Sequence, residues 1–157
     1  MADVEIDEYA LTSALACAYR AAYRLLGDRE DALDIAQEAL ARALVRWPRV
    51  KHILEPWVTR VATNAAIGQL RRRKNTVVLE SATAFVFQDA VCTRIDLVDA
   101  LTTLSRRQRE VVTLRYIADI RQDDVASVLG ISSGSVKRYS SEGLARLRVA
   151  LVSQIEE

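Results

Sequence analysis

The amino-acid sequence predicts an all-α protein of two small helical domains joined by a flexible linker. Half of the 157 residues are hydrophobic but only 6% are aromatic, and there are only 5 Gly and 2 Pro, a composition that favours helices. Residues 1–38 carry nine acidic and three basic side chains, whereas residues 39–74 carry one acidic and nine basic ones. Apolar residues follow a helical period on both sides of a middle segment that lacks it. We therefore expect a first domain in residues 1–74, a linker in residues 75–94 and a second domain in residues 95–157.

Start and stop signals divide the first domain into three predicted helices. Gly27 supplies the residue type that commonly ends a helix, after a segment with apolar residues at helical spacing. Asp28 follows as an N-cap of the second helix, and Pro48 stops that helix. Pro56 suits the first turn of the third helix, which we expect to end near Lys74.

The second predicted helix has a polar face that helix electrostatics explain only in part. Asp31 and Asp34 lie towards the helix N-terminus, where acidic side chains favour the helix dipole. Gln37 and Glu38 lie in the middle of the helix, where the dipole gives them no role. The alternating acidic and basic blocks indicate two kinds of partner, a basic or protein surface for one block and a polyanion for the other.

The third predicted helix ends in a cluster of four cations, residues 71–74. Such a cluster is often only a solvated helix end, but this one closes the basic block of the chain, which also contains Arg60. We therefore favour a surface that contacts phosphate groups. Trp47 and Trp57 could stack on unpaired bases, although we expect them to pack in the core.

The stretch of residues 122–148 is typical of a helix-turn-helix motif. A short first helix has its apolar residues on one face, Gly130 supplies its C-terminal turn, and Ser132 caps a longer second helix. The second helix has an apolar inner face, while Arg138 and Ser141 point outward. A helix of this kind can enter the major groove of DNA. The alternative is an ordinary helical hairpin with a solvated outer face.

The helix that precedes this motif also has a defined start. Ser105 and Gln108 form the S-x-x-Q pattern of a capping box. We expect the apolar residues that follow, Val111, Val112 and Leu114, to pack beneath the helix-turn-helix.

Other classes of protein are disfavoured by what the sequence lacks. It has no Ser/His/Asp set, glycine-rich phosphate loop or cluster of metal ligands, so we expect no enzyme, no cofactor and no metal. His52 is the single histidine, and Cys17 and Cys92 lack a partner motif, which predicts free thiols in a cytoplasmic protein. No apolar run is long enough for a membrane span and no signal-peptide pattern opens the chain, so no membrane contact is expected.

Four segments together resemble a known family. DALDIAQEALARAL (residues 31–44) and WVTRVATNAAIGQLRRRK (residues 57–74) are similar to the second region of bacterial extracytoplasmic-function (ECF) sigma factors. ALTTLSRRQREVVTLRY (residues 100–116) and DDVASVLGISSGSVKRYSSEGLARLR (residues 123–148) resemble the fourth region of the same family. The segments occur in the family's order and cover nearly the whole chain. The resemblance implies a sigma factor that binds RNA polymerase core enzyme and directs promoter recognition and transcription initiation.

The resemblance also implies roles for matching residues. The contact with core polymerase would comprise Asp31, Asp34, Gln37 and Glu38. The minus-ten promoter element and its melted strand would be bound by Arg60, Asn64, Arg71, Arg72, Arg73 and Lys74. The minus-thirty-five element would be contacted by Ser133, Gly134, Ser135, Lys137, Arg138, Tyr139, Ser141 and Glu142. Arg or Lys pairs naturally with guanine and Glu with cytosine, whereas the serines near the helix N-terminus suit phosphate.

Some positions depart from the family pattern. Gly68 stands where relatives commonly carry Asp, and Arg121 stands at a usual Ser or Thr cap, so we expect Asp119 to cap that helix. The apolar residues Phe85 and Phe87 in the linker would pack on a domain or on a partner such as an anti-sigma factor. The alternative function is that of a stand-alone helix-turn-helix transcriptional regulator. Such a regulator would have no use for the polar face of residues 31–38.

Overall fold

Helices connected by short turns account for the parts of the chain that the computed structural model describes, residues 6–80 and 96–155. The first domain contains α1 (Glu8–Leu26), α2 (Arg29–Val45), the short α3 (Trp47–Val50) with a following 3-10 turn (Lys51–Ile53), and α4 (Leu54–Glu80). The second domain contains α5 (residues 96–102), α6 (Arg106–Val112) with a following π-helical turn (Thr113–Ile117), α7 (Gln122–Leu129) and α8 (Ser133–Ile155). The all-α prediction is confirmed for these residues.

Most of the predicted helix boundaries are formed by the residues expected. Gly27 adopts a left-handed backbone (φ 67°) and its N–H donates to the carbonyl of Tyr23, which ends α1. Asp28 Oδ1 accepts from the N–H of Asp31 at 3.0 Å and caps α2. A further N-cap, at which the Asp7 carboxylate accepts from the N–H of Tyr9, begins α1 and was not predicted.

The prediction that α4 ends near Lys74 is wrong, because the helix continues to Glu80. Residues 75–80 contain neither Gly nor Pro, so nothing in the backbone interrupts propagation once a helix has formed. The first part of the predicted linker is therefore helical. The rest of that linker, with Phe85, Phe87 and Cys92, lies outside the described residues.

Alanines form the core between α1, α2 and α4. Ala14 and Ala18 of α1 are fully buried against alanines of α2 and against Val58 and Ala62 of α4. Small side chains allow helix axes to approach closely, so the three helices pack with little apolar volume between them. Trp47 and Trp57 cover one end of this core, as predicted.

The helix-turn-helix is formed as the sequence predicts. Gly130 adopts a left-handed backbone (φ 64°) at the end of α7, and Ser132 Oγ accepts from the N–H of Ser135 at 3.1 Å to cap α8. Val125 of α7 and Val136 of α8 are fully buried with Val111 and Leu114 beneath them, as predicted, whereas Val112 packs in a neighbouring cluster with Leu101 and Leu104. The motif therefore presents α8 on a rigid support.

The capping box that the sequence predicts at the start of α6 is formed. The Gln108 N–H donates to Ser105 Oγ at 3.3 Å, and the Ser105 N–H donates to Gln108 Oε1 at 3.2 Å.

The prediction that Asp119 caps α7 is wrong. Arg121 occupies the N-cap position without a side-chain hydrogen bond to the helix N-terminus, while Asp119 lies in the preceding turn with φ 57°. Two acidic residues in the first turn of α7 favour the helix dipole instead.

The two domains pack against each other. Ile53 and Trp57 of the first domain contact the apolar cluster beneath the helix-turn-helix. Val98 and Ile117 of the second domain pack in a cluster formed mainly by α1 and α4. Arg24 Nη1 donates to the Ile117 carbonyl at 2.8 Å across the same contact. This closed arrangement fixes which surfaces of each domain face solvent.

Gly143 and Gly68, both inside helices, should respond oppositely to replacement by alanine. A Cβ at Gly143 would lie 2.6 Å from Val112 Cγ2, whereas at Gly68 its nearest neighbour would be Arg72 Nη1 at 3.6 Å. We expect Gly143→Ala to destabilise the chain by about 1–3 kcal/mol through overpacking. We expect Gly68→Ala to stabilise it by about 0.5–1 kcal/mol, because Ala restricts the unfolded chain more than Gly. Urea denaturation of both variants measures this, and equal shifts of the same sign would contradict the close approach of α6 and α8.

Candidate nucleic-acid interface

The outward face of α8 carries the residues that the sequence predicts for base contact. Gly134, Lys137, Arg138, Ser141 and Glu142 are exposed, and Ser133, Ser135 and Tyr139 are half-buried beside them. The first half of α8 thus offers two cations, one carboxylate and several hydroxyl groups to solvent. This combination suits base edges in a major groove, where cations recognise guanine and a carboxylate recognises cytosine.

Two of these side chains are held by neighbours. The Arg138 guanidinium lies 4.9 Å from the centre of the Tyr139 ring, a cation–π contact that restricts its conformation. Glu142 Oε2 accepts from Gln108 Nε2 of α6 at 3.2 Å. The contact with Gln108 has no signal in the sequence, because it joins residues that are far apart in the chain.

Hydrogen bonds also fix the start of α8. Gln122 Nε2 donates to the Ser133 hydroxyl at 2.7 Å and to the Ser133 carbonyl at 3.1 Å. The Ser133 hydroxyl in turn donates to Asp123 Oδ1 at 3.1 Å. The hydrogen of this hydroxyl is therefore already used within the domain, and a phosphate contact through Ser133 stays a prediction.

In the first domain, the predicted DNA-binding residues lie along α4 but differ in their surroundings. Arg60 and Asn64 lie one turn apart, and Arg71, Arg72 and Arg73 follow further along the helix. Asn64 and Arg72 are exposed, Arg71 is half-buried, and the Lys74 side chain lies outside the described part. The Nε atom of Arg71 is buried without a hydrogen-bond partner.

Arg60 points into the contact between the domains. Its Nη2 donates to Glu110 Oε1 of α6 at 3.0 Å, and its Nη1 lies 3.4 Å from the Val128 carbonyl. Glu110 is only 9% exposed and also accepts from Arg107 at 3.0 Å, with Arg106 at 3.6 Å. A predicted nucleic-acid contact of one domain is thus engaged by a buried carboxylate of the other.

The predicted polymerase contact lies on the exposed side of α2. Asp34, Gln37 and Glu38 are exposed, and Glu38 forms an ion pair with Arg42 at 2.7 Å. Asp31 differs because it forms an ion pair with Arg73 of α4. The structure therefore joins a predicted polymerase contact to a predicted DNA contact, which the sequence did not indicate.

A polar cavity of about 340 Å³ lies between the domains, lined by α1, α4 and the turn before α7. Its walls carry both cations and carboxylates, including Arg20, Glu55 and Arg121. Burial, followed by the nearby Glu55 carboxylate, raises the pKa of the Cys17 thiol, although Arg20 opposes this shift. Cys17 is a free thiol, as predicted. Among the residues that can be described, no group of His, Cys, Asp or Glu could hold a metal ion, and no helix is long and apolar enough to cross a membrane.

Comparison with known proteins matches each of the two domains to a described family. Residues 13–76 match the family described as sigma-70 region 2, and residues 94–147 match sigma-70 region 4. RNA polymerase sigma-E factor of Streptomyces coelicolor is 36% identical, with 96% of this chain and 88% of that protein covered. ECF RNA polymerase sigma factor SigL of Mycobacterium tuberculosis is 31% identical, with 92% and 85% covered.

A solved structure has a similar fold. The sigma factor RpoE of Bartonella quintana, in complex with the anti-sigma factor NepR, superposes with a TM-score of 0.54 at 22% identity, with 92% of this chain and 95% of that chain covered. The chain belongs to the ECF group of sigma-70 family sigma factors. It binds RNA polymerase core enzyme and recognises promoter DNA, and the alternative of a stand-alone regulator has no support.

The pair formed by Arg60 and Glu110 should hold the closed arrangement. Glu110→Gln removes the charge at constant shape and leaves Arg60, Arg106 and Arg107 facing one another. We expect the free energy of unfolding to fall by about 1–3 kcal/mol, less than for a fully buried pair because Arg60 is partly exposed. We also expect small-angle X-ray scattering to show a larger radius of gyration. Glu38→Gln, which breaks the exposed pair with Arg42, serves as the control and should change neither quantity. An unchanged scattering profile for Glu110→Gln would contradict this role.

Proposed function

We propose that the two domains divide promoter recognition between them. Residues 95–157 read the minus-thirty-five element as duplex through α8, and residues 1–74 hold the minus-ten element and its melted strand along α4. The observation that carries the first assignment is the exposed face of Lys137, Arg138 and Glu142 on a helix fixed by the capped turn of the motif. The cations and hydroxyl groups at the start of α8 suit the phosphates of the same element.

The polymerase contact is proposed for the exposed side of α2. Asp34, Gln37 and Glu38 are accessible on one helix, and neither burial nor a helix cap accounts for Asp34 and Gln37 there. A negatively charged face of this kind suits a positively charged surface of the core enzyme. Asp31 would join this face after exchange of its partner Arg73.

The closed arrangement adds a condition to minus-ten binding. The guanidinium of Arg60 donates to Glu110, so a promoter phosphate or base must replace that carboxylate. We infer that the domains separate at this contact when the first domain takes up its promoter element. Core polymerase, which is proposed to bind α2, would hold the separated domains at the spacing of the two elements.

We further propose that the chain has no catalytic group and acts in the cytoplasm with core polymerase. Polymerisation and its metal ions would belong to the core enzyme. By analogy with the complex of the Bartonella quintana relative, an anti-sigma factor is included among the partners.

Reversal of charge at Asp34 should abolish binding to core polymerase. We expect Asp34→Arg to weaken binding about a hundredfold or more, since like charges at a charged contact cost several kcal/mol. Competition with the wild-type chain for core enzyme measures the loss, and circular dichroism checks that the helices remain. Glu8→Arg, at an exposed position of α1, is the control and should bind normally. If Asp34→Arg unfolds the first domain or binds core normally, the assignment of this face is wrong.

Removal of the Arg138 side chain should weaken transcription in a way that depends on the promoter sequence. A bidentate contact with guanine contributes about 1–3 kcal/mol of discrimination, so promoters with the preferred base should lose most. Transcription by reconstituted holoenzyme on promoters that differ at single upstream positions measures this. Arg121→Ala removes an exposed arginine outside the predicted reading face and should not change base preference. A uniform loss across all promoters for Arg138→Ala would assign this residue to phosphate contact instead.

A further inference from the structure

Gln108 uses every polar group of its side chain within the second domain. Its side-chain oxygen accepts from the N–H of Ser105 at 3.2 Å, which anchors the amide at the start of α6. Its side-chain nitrogen donates to Glu142 Oε2 at 3.2 Å. Gln108 is buried, with 6% of its surface exposed, whereas Glu142 is exposed on the outward face of α8. The amide therefore connects a fixed point of the core with a side chain on the surface.

Close packing of α6 and α8 makes this contact possible. Gly143, the neighbour of Glu142, lies so near α6 that a Cβ there would be 2.6 Å from Val112 Cγ2 and 3.4 Å from Gln108 Cβ. A glycine inside a helix costs about 0.5–1 kcal/mol relative to alanine, and here it removes the side chain that would separate the helices. The reach from Gln108 to Glu142 thus follows from the backbone positions of both helices.

We propose that Gln108 is a positioning residue that sets the base specificity of Glu142. This inference rests on the proposed reading of the minus-thirty-five element by α8. A free glutamate has three rotatable side-chain bonds and can avoid an unfavourable base by changing its conformation. With Oε2 held by Gln108, the carboxylate keeps one place, and Oε1 is left to accept from the amino group of cytosine.

The restriction matters most against wrong bases. The major-groove edges of guanine and thymine offer acceptors, which a carboxylate repels, whereas cytosine offers an amino donor. A carboxylate that cannot turn away imposes the full cost of that mismatch. Gln108 therefore increases discrimination more than affinity, which separates its role from that of a residue that only stabilises the fold.

The experiment compares Gln108→Glu with Glu142→Ala in the full chain, reconstituted with core polymerase. Glutamate at position 108 retains the capping box, because S-x-x-E serves as well as S-x-x-Q, but in its ionised form it cannot donate to Glu142 and instead repels that carboxylate. Each holoenzyme selects from a promoter library randomised across the upstream element, and sequencing gives the preference at every position. We expect Glu142→Ala to remove the preference at one position. Gln108→Glu should reduce discrimination at that same position by about two- to tenfold, the range that one hydrogen bond supplies, and leave other positions unchanged.

Gln122→Glu is the matched control. It removes an amide that donates to Ser133 in the same domain, so it reports the effect of a lost, partly buried hydrogen bond without the link to Glu142. Its base preference at the Glu142 position should equal that of the wild type. Equal loss of discrimination in Gln108→Glu and Gln122→Glu would overturn the positioning role.

The remaining outcomes separate this inference from the proposed function. If Glu142→Ala changes no preference, Glu142 does not read a base, and the proposed role of that residue fails. If Glu142→Ala removes a preference that Gln108→Glu retains, Glu142 reads a base without help, and the positioning role alone is overturned. The double variant Gln108→Glu/Glu142→Gln reverses donor and acceptor and should recover the melting temperature lost in Gln108→Glu. Absence of that recovery would overturn the contact itself.

Discussion

A buried carboxylate, Glu110, connects the two domains of this sigma factor. A charge with so little contact with water is costly unless ion pairs and hydrogen bonds compensate for it. Arg107 compensates from within α6, and Arg60 compensates from the other domain. Trp57 and Ile53 add apolar contacts between the first domain and the helix-turn-helix cluster. The closed arrangement therefore combines one charged contact with apolar contacts between the domains.

The closed arrangement has different consequences for the two proposed DNA-binding surfaces. The proposed reading face of α8 is exposed to solvent in the closed arrangement. Arg60 on α4 is engaged by Glu110, and one guanidinium cannot serve both a buried carboxylate and a promoter strand. The residues proposed for duplex recognition are thus accessible, whereas Arg60, proposed for strand capture, is engaged in the contact between the domains. On the function proposed above, only strand capture requires the contact between the domains to open.

The sequence predicted what local chemistry determines and missed what tertiary packing determines. The caps at Asp28 and Ser132 and the box of Ser105 with Gln108 follow from residues a few positions apart, and all are formed. The extension of α4 to Glu80 was missed because the absence of a helical apolar period was interpreted as a break, although no Gly or Pro there stops a helix. The pairing of Arg60 with Glu110 was beyond prediction, since Glu110 also has suitable partners three and four residues away on its own helix.

The chemistry of the proposed reading face predicts that a separate helix-turn-helix would bind DNA weakly. With α8 bound to DNA as proposed, Glu142 and Asp123 would place negative charge near the phosphates and lower affinity for every sequence, while Glu142 would favour one base over another. Such a face would have low affinity for DNA but would still discriminate between bases. A module of this kind functions when other contacts supply the affinity, and attachment to core polymerase supplies it as effective concentration at the promoter. On this proposal, a fixed carboxylate on α8 serves base recognition better than a further cation would, because the enzyme as a whole already holds the DNA.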